Sequence, residues 1–435
     1  MSKSASGNPL RTLAVLYCLS WGLAPAAWGQ SVGGFQDAVL DLKARNVYWR
    51  QDYRDGAPSS REWGQGLMME FRSGDTPGGI GLGIEASAYA SAKLDQRNWA
   101  AARAGVLTRN DDHLRNASAW AGGAVRLRAF DTELRYGNNL RPYNPVFAPA
   151  DTRLLPSTAT GWWLSSRAVS DTFLEAGYFT GGKDYSSNRS RRELYASYAG
   201  VSTDRVSYIG GSHTLSDSTG FMLYASEFRN IWRQYFMNAS HTWTLDERRL
   251  SMDFNLYHSQ GQGRKLAGDI DVTAWSLALG HTRGAHTIRL SYQRIEGDQP
   301  FDYLGMAPGS YHDSIYLANS SQMSDFNGPH EKSWGIFYDL DMSHYDMPGL
   351  SLHARHIRGY GADGSAMSPR SPYAYYGSNE KHWTAEVDVR YEIQNGAARG
   401  LSARLRVGVH RMLQGSSNVS SRQIRLYLEY PYSIF

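Results

Sequence analysis

Residues 80–94 read Ile80-Gly81-Leu82-Gly83-Ile84-Glu85-Ala86-Ser87-Ala88-Tyr89-Ala90-Ser91-Ala92-Lys93-Leu94. Every even position is apolar, and the odd positions are small, polar or charged. Period two marks an extended strand whose two faces meet different surroundings. The run is far longer than the roughly 5–6 residues usual for a strand in a globular sheet.

The pattern recurs along the chain. Leu250, Met252, Phe254 and Leu256 alternate with Ser251, Asp253 and Asn255. Trp334, Ile336, Tyr338, Leu340 and Met342 interleave with Asp339 and Asp341. Trp383, Ala385, Val387, Val389, Tyr391 and Ile393 alternate with Glu386, Asp388, Arg390 and Glu392. Leu401, Ala403, Leu405, Val407 and Val409 alternate with Ser402, Arg404, Arg406 and His410. Apolar faces that end in Trp or Tyr suit an interfacial girdle. A soluble sandwich also alternates, but it seldom sets charges on the second face of strand after strand. Charges facing a watery lumen cost little, whereas the same charges facing lipid cost roughly 2–4 kcal/mol each at the midplane.

Composition agrees. Mean hydropathy is −0.49 and the chain carries 28 Tyr, 13 Trp and 44 Gly. Past the leader no run approaches twenty apolar residues, which excludes helical membrane spans. A closed barrel combines such polarity with membrane residence, because it pairs every backbone group and shows lipid one face of each strand. The expected fold class is therefore all-β, a transmembrane antiparallel β-barrel.

The N-terminus reads as an export signal. Lys3 and Arg11 form a basic region, Leu13 to Ala24 an apolar one, and Ala27-Trp28-Gly29 a small-x-small cleavage site. Residues 1–29 are assigned to a cleaved signal peptide and 30–435 to one barrel domain. Tyr17 before Cys18 argues against a lipid anchor, and cleavage removes the single cysteine. The mature chain keeps about 406 residues and a charge near +2, a balance that argues against a nucleic-acid binder.

Counting strand-like segments between Ala38 and Tyr432 gives nineteen. A single-chain barrel with both termini in the periplasm needs an even number, so one segment is surplus, and it is expected between Arg192 and Trp243, where short segments crowd. The tight link Asn395-Gly396-Ala397-Ala398-Arg399-Gly400 reads as a periplasmic turn. The stretches 95–118, 297–332 and 360–381 read as external loops. In Tyr430-Pro431-Tyr432-Ser433-Ile434-Phe435 the terminal Phe435 resembles the signal read by the outer-membrane assembly machinery. Its parity differs from that of Ile424, Leu426 and Leu428, and a bulge near Pro431 is expected to restore the register.

In order along the chain, several segments resemble the OprD-type (Occ) specific porins of Pseudomonas and related Gram-negative bacteria. They are Ala44-Arg45-Asn46-Val47-Tyr48-Trp49-Arg50-Gln51-Asp52-Tyr53-Arg54, Glu62-Trp63-Gly64-Gln65-Gly66 and Ser73-Gly74-Asp75-Thr76-Pro77-Gly78. Further on come Pro142, Pro145, Val146, Asp151, Arg153, Leu154, Leu155 and Pro156, then Asp325-Phe326-Asn327, Glu331-Lys332-Ser333-Trp334 and Pro348-Gly349-Leu350. The resemblance implies an eighteen-stranded, monomeric barrel in the outer membrane, narrowed by inward-folded constriction loops. Residues 138–160 are the expected constriction loop and 297–332 the second long loop. It also implies uptake of small carboxylates, amino acids in one branch and aromatic or other cyclic acids in another, past a basic ladder facing an acidic or tyrosine-lined wall.

Parity supplies a basic set independently. Val125, Leu127 and Ala129 set one lipid face, which turns Arg126 and Arg128 inward. Leu134 and Tyr136 do the same for Arg135. The constriction loop adds Arg141 and Arg153. Arg404, Arg406 and Arg425 point inward on the last two strands, and Lys43 and Arg45 on the first. Guanidinium binds carboxylate bidentately and stays charged, and several moderate sites in a row allow entry without trapping. The competing reading is that these cations only brace the wall against Glu133, Glu85, Glu429 or Asp41. Asp151 is expected to anchor its loop, and Asp302 and Tyr303 to supply the opposing wall.

No metal-ligand spacing, nucleotide fingerprint or nucleophile elbow is present. His353 and His356 fall on opposite strand faces, so no metal or cofactor is assigned. Besides carboxylate uptake, the residues leave open a sugar-selective porin lined by aromatics, an outer-membrane hydrolase with a rim catalytic site, and a plugged structural barrel.

Overall fold

The computed structural model describes residues 37–54, 58–98, 104–110 and 113–435. The proposed signal peptide, 1–29, lies outside the described residues. Eighteen antiparallel strands close on themselves. In chain order they are β1 (Val39–Tyr53), β2 (Ser60–Arg72), β3 (Gly81–Arg97), β4 (Ala117–Ala129), β5 (Thr132–Leu140) and β6 (Thr158–Ser166). Next come β7 (Thr172–Lys183), β8 (Val206–Ser216), β9 (Thr219–Phe228), β10 (Trp232–Leu245), β11 (Arg248–Gly261) and β12 (Asp271–Arg283). The last six are β13 (His286–Glu296), β14 (Lys332–Asp341), β15 (Leu350–Ala362), β16 (Glu380–Glu392), β17 (Ser402–Gln414) and β18 (Ser421–Ser433). Each pairs with its neighbours in sequence, and β18 pairs with β1. The even count places both ends of the barrel chain at one rim.

The surplus segment is explained. Leu194–Ala196 and Ser202–Thr203 lie in the crowded stretch but form a small sheet with Leu304–Gly305, apart from the wall. They are strand-like because they pair, yet they pair with loop backbone.

The alternation sorts residues as the period-two argument requires. On β3, Leu82 and Ile84 are exposed outward, and Gly81 and Gly83, which alternate with them, are buried. Turns at the terminal rim are short. Phe130 and Asp131 join β4 to β5 with φ of 50° and 56°, the left-handed pair of a two-residue hairpin. The ladder between β1 and β18 runs from Gln51↔Gln423 through Lys43↔Pro431 to Asp41↔Ser433 without a shift. The bulge expected at Pro431 is therefore absent. Pro431 lies past the last β17 pair, Ser402↔Glu429, so its missing N–H costs no ladder bond. The terminal residues continue the pairing through Leu40 N to Phe435 O at 3.1 Å and Ile434 N to Leu40 O at 2.9 Å.

The loops at the far rim turn inward. Residues 141–157 bury Val146, Phe147, Leu154 and Leu155 inside the barrel. Phe147 stacks on Phe179 of β7 at 4.3 Å between centroids. Leu154 and Leu155 occupy room left by glycines on β2, since a Cβ on Gly64 would lie 2.7 Å from Leu154 Cδ2. Neighbouring Glu62 accepts from the backbone N–H groups of Ala104, Val106 and Leu107 at 2.9–3.0 Å. One short β2 segment thus seats two loops.

Candidate functional site

The β1–β18 seam sets odd residues of both strands toward the lumen. It places Trp49 opposite Arg425, Arg45 opposite Glu429 and Lys43 opposite Pro431. Arg45 is saturated: Nε donates to Glu429 Oε1 at 2.6 Å, and Nη1 donates to Asp151 Oδ1 and to the Arg153 carbonyl, both at 2.7 Å. Asp151 also meets Arg141 at 2.9 Å and Lys43 at 3.9 Å. Burial by itself would push the Asp151 carboxyl up. The charges of Arg45 and Arg141 and the Arg45 hydrogen bond outweigh it and bring it down to about 2. Arg45, Arg141 and Lys43 thus fasten the 141–157 loop to the wall through one carboxylate.

Arg153 and Arg425 are held differently. Arg153 Nε donates to the Ala104 carbonyl and Nη1 to Thr152 Oγ1, each at 2.9 Å. Arg425 Nη2 donates to the Gln322 carbonyl at 2.8 Å and Nε to Gln423 Oε1 at 3.0 Å. Both guanidinium groups lie over Trp49, at 3.5 Å for Arg425 and 4.7 Å for Arg153, and Arg153 also lies over Tyr185 at 5.1 Å. Among the described residues neither forms an ion pair with a carboxylate. Nearby, Arg404 and Arg406 share Asp388 at distances of 2.9 and 3.1 Å, and Arg355 meets Glu386 at 2.8 Å.

Arg153, Arg355, Arg406 and Arg425 line a lumenal cavity of ≈770 Å³ together with Trp49. The loop 297–331 adds Tyr303, Tyr311, Asp313 and Asp325 to the same cavity. Asp325 accepts from the hydroxyls of Tyr303 at 2.6 Å, Tyr198 at 2.7 Å and Ser320 at 2.6 Å. Asp313 accepts from the Asp151 N–H at 3.3 Å, and burial raises its pKa from the ordinary carboxylate value. Neither acid forms an ion pair among the described residues. The cavity therefore sets two cations without counter-ions, Arg153 and Arg425, together with two acids without cations, Asp313 and Asp325.

Two expectations are corrected. Asp302 does not face solute: it is buried and accepts from the N–H groups of Tyr198, Ala199 and Tyr303 at 2.7–2.9 Å and from the Tyr373 hydroxyl at 2.9 Å. Loop amides that lack a ladder need such an acceptor, and burial still pushes its carboxyl up to about 6. Arg126 is equally withdrawn, with a side chain 1 % exposed. It meets Asp75 at 2.6 Å, Glu85 at 3.2 Å and the Ser73 carbonyl at 3.0 Å. Arg128 reaches Asp75 at 3.3 Å, and Arg135 pairs with Glu133 and lies over Trp163 at 4.8 Å. These three arginines form a brace at the terminal rim, because the 73–80 turn folds Asp75 back beside them.

The sequence offers neither Arg355 nor Asp313 as a site residue, and Asp325 enters only within the family-like segment Asp325-Phe326-Asn327. Arg355 points inward on β15, but the outward set of that strand includes His356 and Arg358, which blurs the alternation. The two acids lie in a loop without any period.

The profile of the family described as outer membrane porin, OprD family, matches residues 33–434. Porin D of Pseudomonas aeruginosa is 40% identical over 412 residues, covering 93% of this chain and 93% of that protein. The improved crystal structure of Pseudomonas aeruginosa OprD superposes with a TM-score of 0.82 at 38% identity, covering 93% of this chain and 98% of that one. The crystal structure of Pseudomonas aeruginosa OpdK with vanillate gives a TM-score of 0.81 at 28% identity, covering 92% and 100% respectively.

Proposed function

The chain belongs to the OprD family of outer-membrane porins, and from that premise we propose that it takes up small carboxylate solutes selectively, with zwitterionic amino acids as the best fit. As a member of that family it is a channel of the outer membrane rather than an enzyme.

The observation that carries the proposal is the charge arrangement of the central cavity. Arg153 and Arg425 keep a guanidinium free of any carboxylate there, whereas Arg45, Arg126, Arg135 and Arg404 are each neutralised by at least one. A solute carboxylate supplies the missing counter-ion, in the bidentate geometry that guanidinium favours. Asp313 and Asp325 offer the complementary place for an ammonium group in the same cavity. Arg406 and Arg355, each facing an acid, and Arg404 one step along β17 continue a graded path in which no single site holds the solute tightly. The 141–157 loop, pinned by Asp151, narrows the lumen at this level.

The OpdK structure contains an aromatic carboxylate, vanillate, so carboxylate binding has precedent on this fold. A sugar-selective pore would use the aromatic ring faces that line the same cavity, and the carboxylate reading is preferred because Arg153 and Arg425 there lack a counter-ion.

The test is reversal potential and solute-dependent current in planar bilayers. The purified protein is expected to favour amino acids and small carboxylates over neutral sugars of equal size. An Arg153→Gln/Arg425→Gln double variant that keeps the wild-type preference overturns the assignment.

A further inference from the structure

The lipid-facing side of the far rim carries charges that the pore does not use. Four outward side chains stand in one row across adjacent strands: Arg294 on β13 is opposite Lys332 on β14, which is opposite Tyr360 on β15, which is opposite Lys381 on β16. One outward position nearer the membrane centre, about 7 Å along the strands, lies a second row of Tyr292, Trp334, Arg358 and Trp383. Below it come Leu290 and Ile336, both exposed. Outward orientation follows from parity, since Gln293, Ser333 and Ser291 between these residues are buried.

The acids nearby are already engaged. Glu296 meets Arg294 at 3.0 Å, Asp298 meets His330 at 2.9 Å, and Asp363 accepts from the Ser365 N–H at 2.9 Å. Lys332, Arg358 and Lys381 form no ion pair among the described residues. Directly beside the upper row is a cavity of ≈670 Å³ lined by Arg294, His330, Lys332, Tyr360 and Ser365.

We propose that this face of β13–β16 binds a phosphorylated glycolipid of the outer leaflet. Lys332, Arg358 and Lys381 hold its phosphates, the polar cavity takes its sugar head, and Trp334 and Ile336 pack on its acyl chains. Three unneutralised cations next to exposed apolar side chains match a ligand whose phosphates are covalently fixed to hydrocarbon. A soluble anion has no use for Ile336 and Leu290, and a neutral lipid leaves the cations unpaired. Cations at the interface are cheap, because the cost of a lipid-facing charge falls away there, and the aromatic row sets that interface level.

The experiment uses the full protein, stripped of lipid in a neutral detergent, with three probes: diphosphorylated lipid A, the same lipid with its phosphates removed, and inorganic phosphate. Bound lipid is counted by native mass spectrometry and its effect read as a melting shift. Lipid A is expected to bind and raise the melting temperature, with at least a ten-fold loss of affinity in a Lys332→Ala/Arg358→Ala/Lys381→Ala variant. Arg233→Ala, which removes an outward arginine on β10, is expected to bind as wild type. Unchanged bilayer conductance of the triple variant certifies its fold, and single Lys332→Gln and Lys381→Gln variants give the same reading with less perturbation. Wild-type affinity in the triple variant and in both single variants, equal binding of the dephosphorylated lipid, or a full melting shift from inorganic phosphate alone each overturns the proposal.

Discussion

Trp49 and Arg425 face each other across the ladder that closes the barrel, and the guanidinium carbon lies 3.5 Å from the indole centroid. With Arg153 on the same ring at 4.7 Å, one aromatic side chain holds both arginines of the central cavity that form no ion pair among the described residues. A carboxylate in Trp49's place would neutralise them and remove the reason for an anionic solute to bind. An aromatic ring attracts a cation through its quadrupole and leaves the charge available.

Replacing the ring should therefore weaken solute recognition. A cation–π contact is worth about 2 kcal/mol when desolvated, and Trp49 and Arg425 are both buried, so Trp49→Leu is expected to reduce carboxylate binding in the pore by up to about thirty-fold, by the usual relation between free energy and affinity. Trp49→Phe should fall between. Noise analysis of solute-blocked current measures this, and an unchanged binding constant in Trp49→Leu would show that the hydrogen bonds to Gln322, Gln423 and Ala104 suffice.

The arginines at the terminal rim should answer oppositely. Arg126→Gln leaves Asp75 and Glu85 facing one another with their shared cation gone. Removing one partner of a buried pair typically costs about 3–5 kcal/mol. Thermal unfolding in detergent should show a clear loss of stability for this variant, while reversal potential stays at the wild-type value. A shift in ion selectivity as large as that of Arg153→Gln would return Arg126 to the solute path.

This contrast marks what the residues disclose before folding. Alternation at Ile84 and Leu82, or at Val125 and Leu127, decides which face of a strand meets lipid, because the cost of error falls on every second residue. It correctly turned Arg126 inward. It did not disclose Asp75, which is fifty-one positions away and reaches Arg126 only because the 73–80 turn folds back. Asp302 departs from expectation for a related reason: in a loop without a period, its acceptor oxygens are claimed by amides at Tyr198 and Ala199, about a hundred residues distant. Parity identifies faces, and partners depend on how loops close.

Asp151 should behave as an acid-resistant latch. Its pKa in the fold, about 2, lies below the ordinary value of 3.8, so its contribution to stability is complete above roughly pH 4 and is lost as pH falls through about 2. Open-channel current is expected to stay quiet from pH 7 to 4 and to fluctuate below that, as the 141–157 loop loosens from Arg45, Arg141 and Lys43. Asp151→Asn should show the same fluctuations already at pH 7. Quiet current in that variant would mean that the Leu154 and Phe147 packing alone secures the loop.

Asp313 should respond with the opposite sign. Burial raises its pKa, so its neutral form is favoured in the fold and acidification stabilises its surroundings through the range where an exposed carboxylate is still charged. As pH falls, Asp313 is expected to lose its charge before Asp151 does, and the cavity to lose attraction for ammonium groups while keeping that for carboxylates. Selectivity for a zwitterion over the matching simple acid should thus decline on mild acidification, at pH values where the 141–157 loop is still latched. In Asp313→Asn the preference should be lower at pH 7 and nearly flat with pH. If the variant keeps the wild-type pH profile, Asp325, bound by three hydroxyls, is the acid that meets the ammonium group.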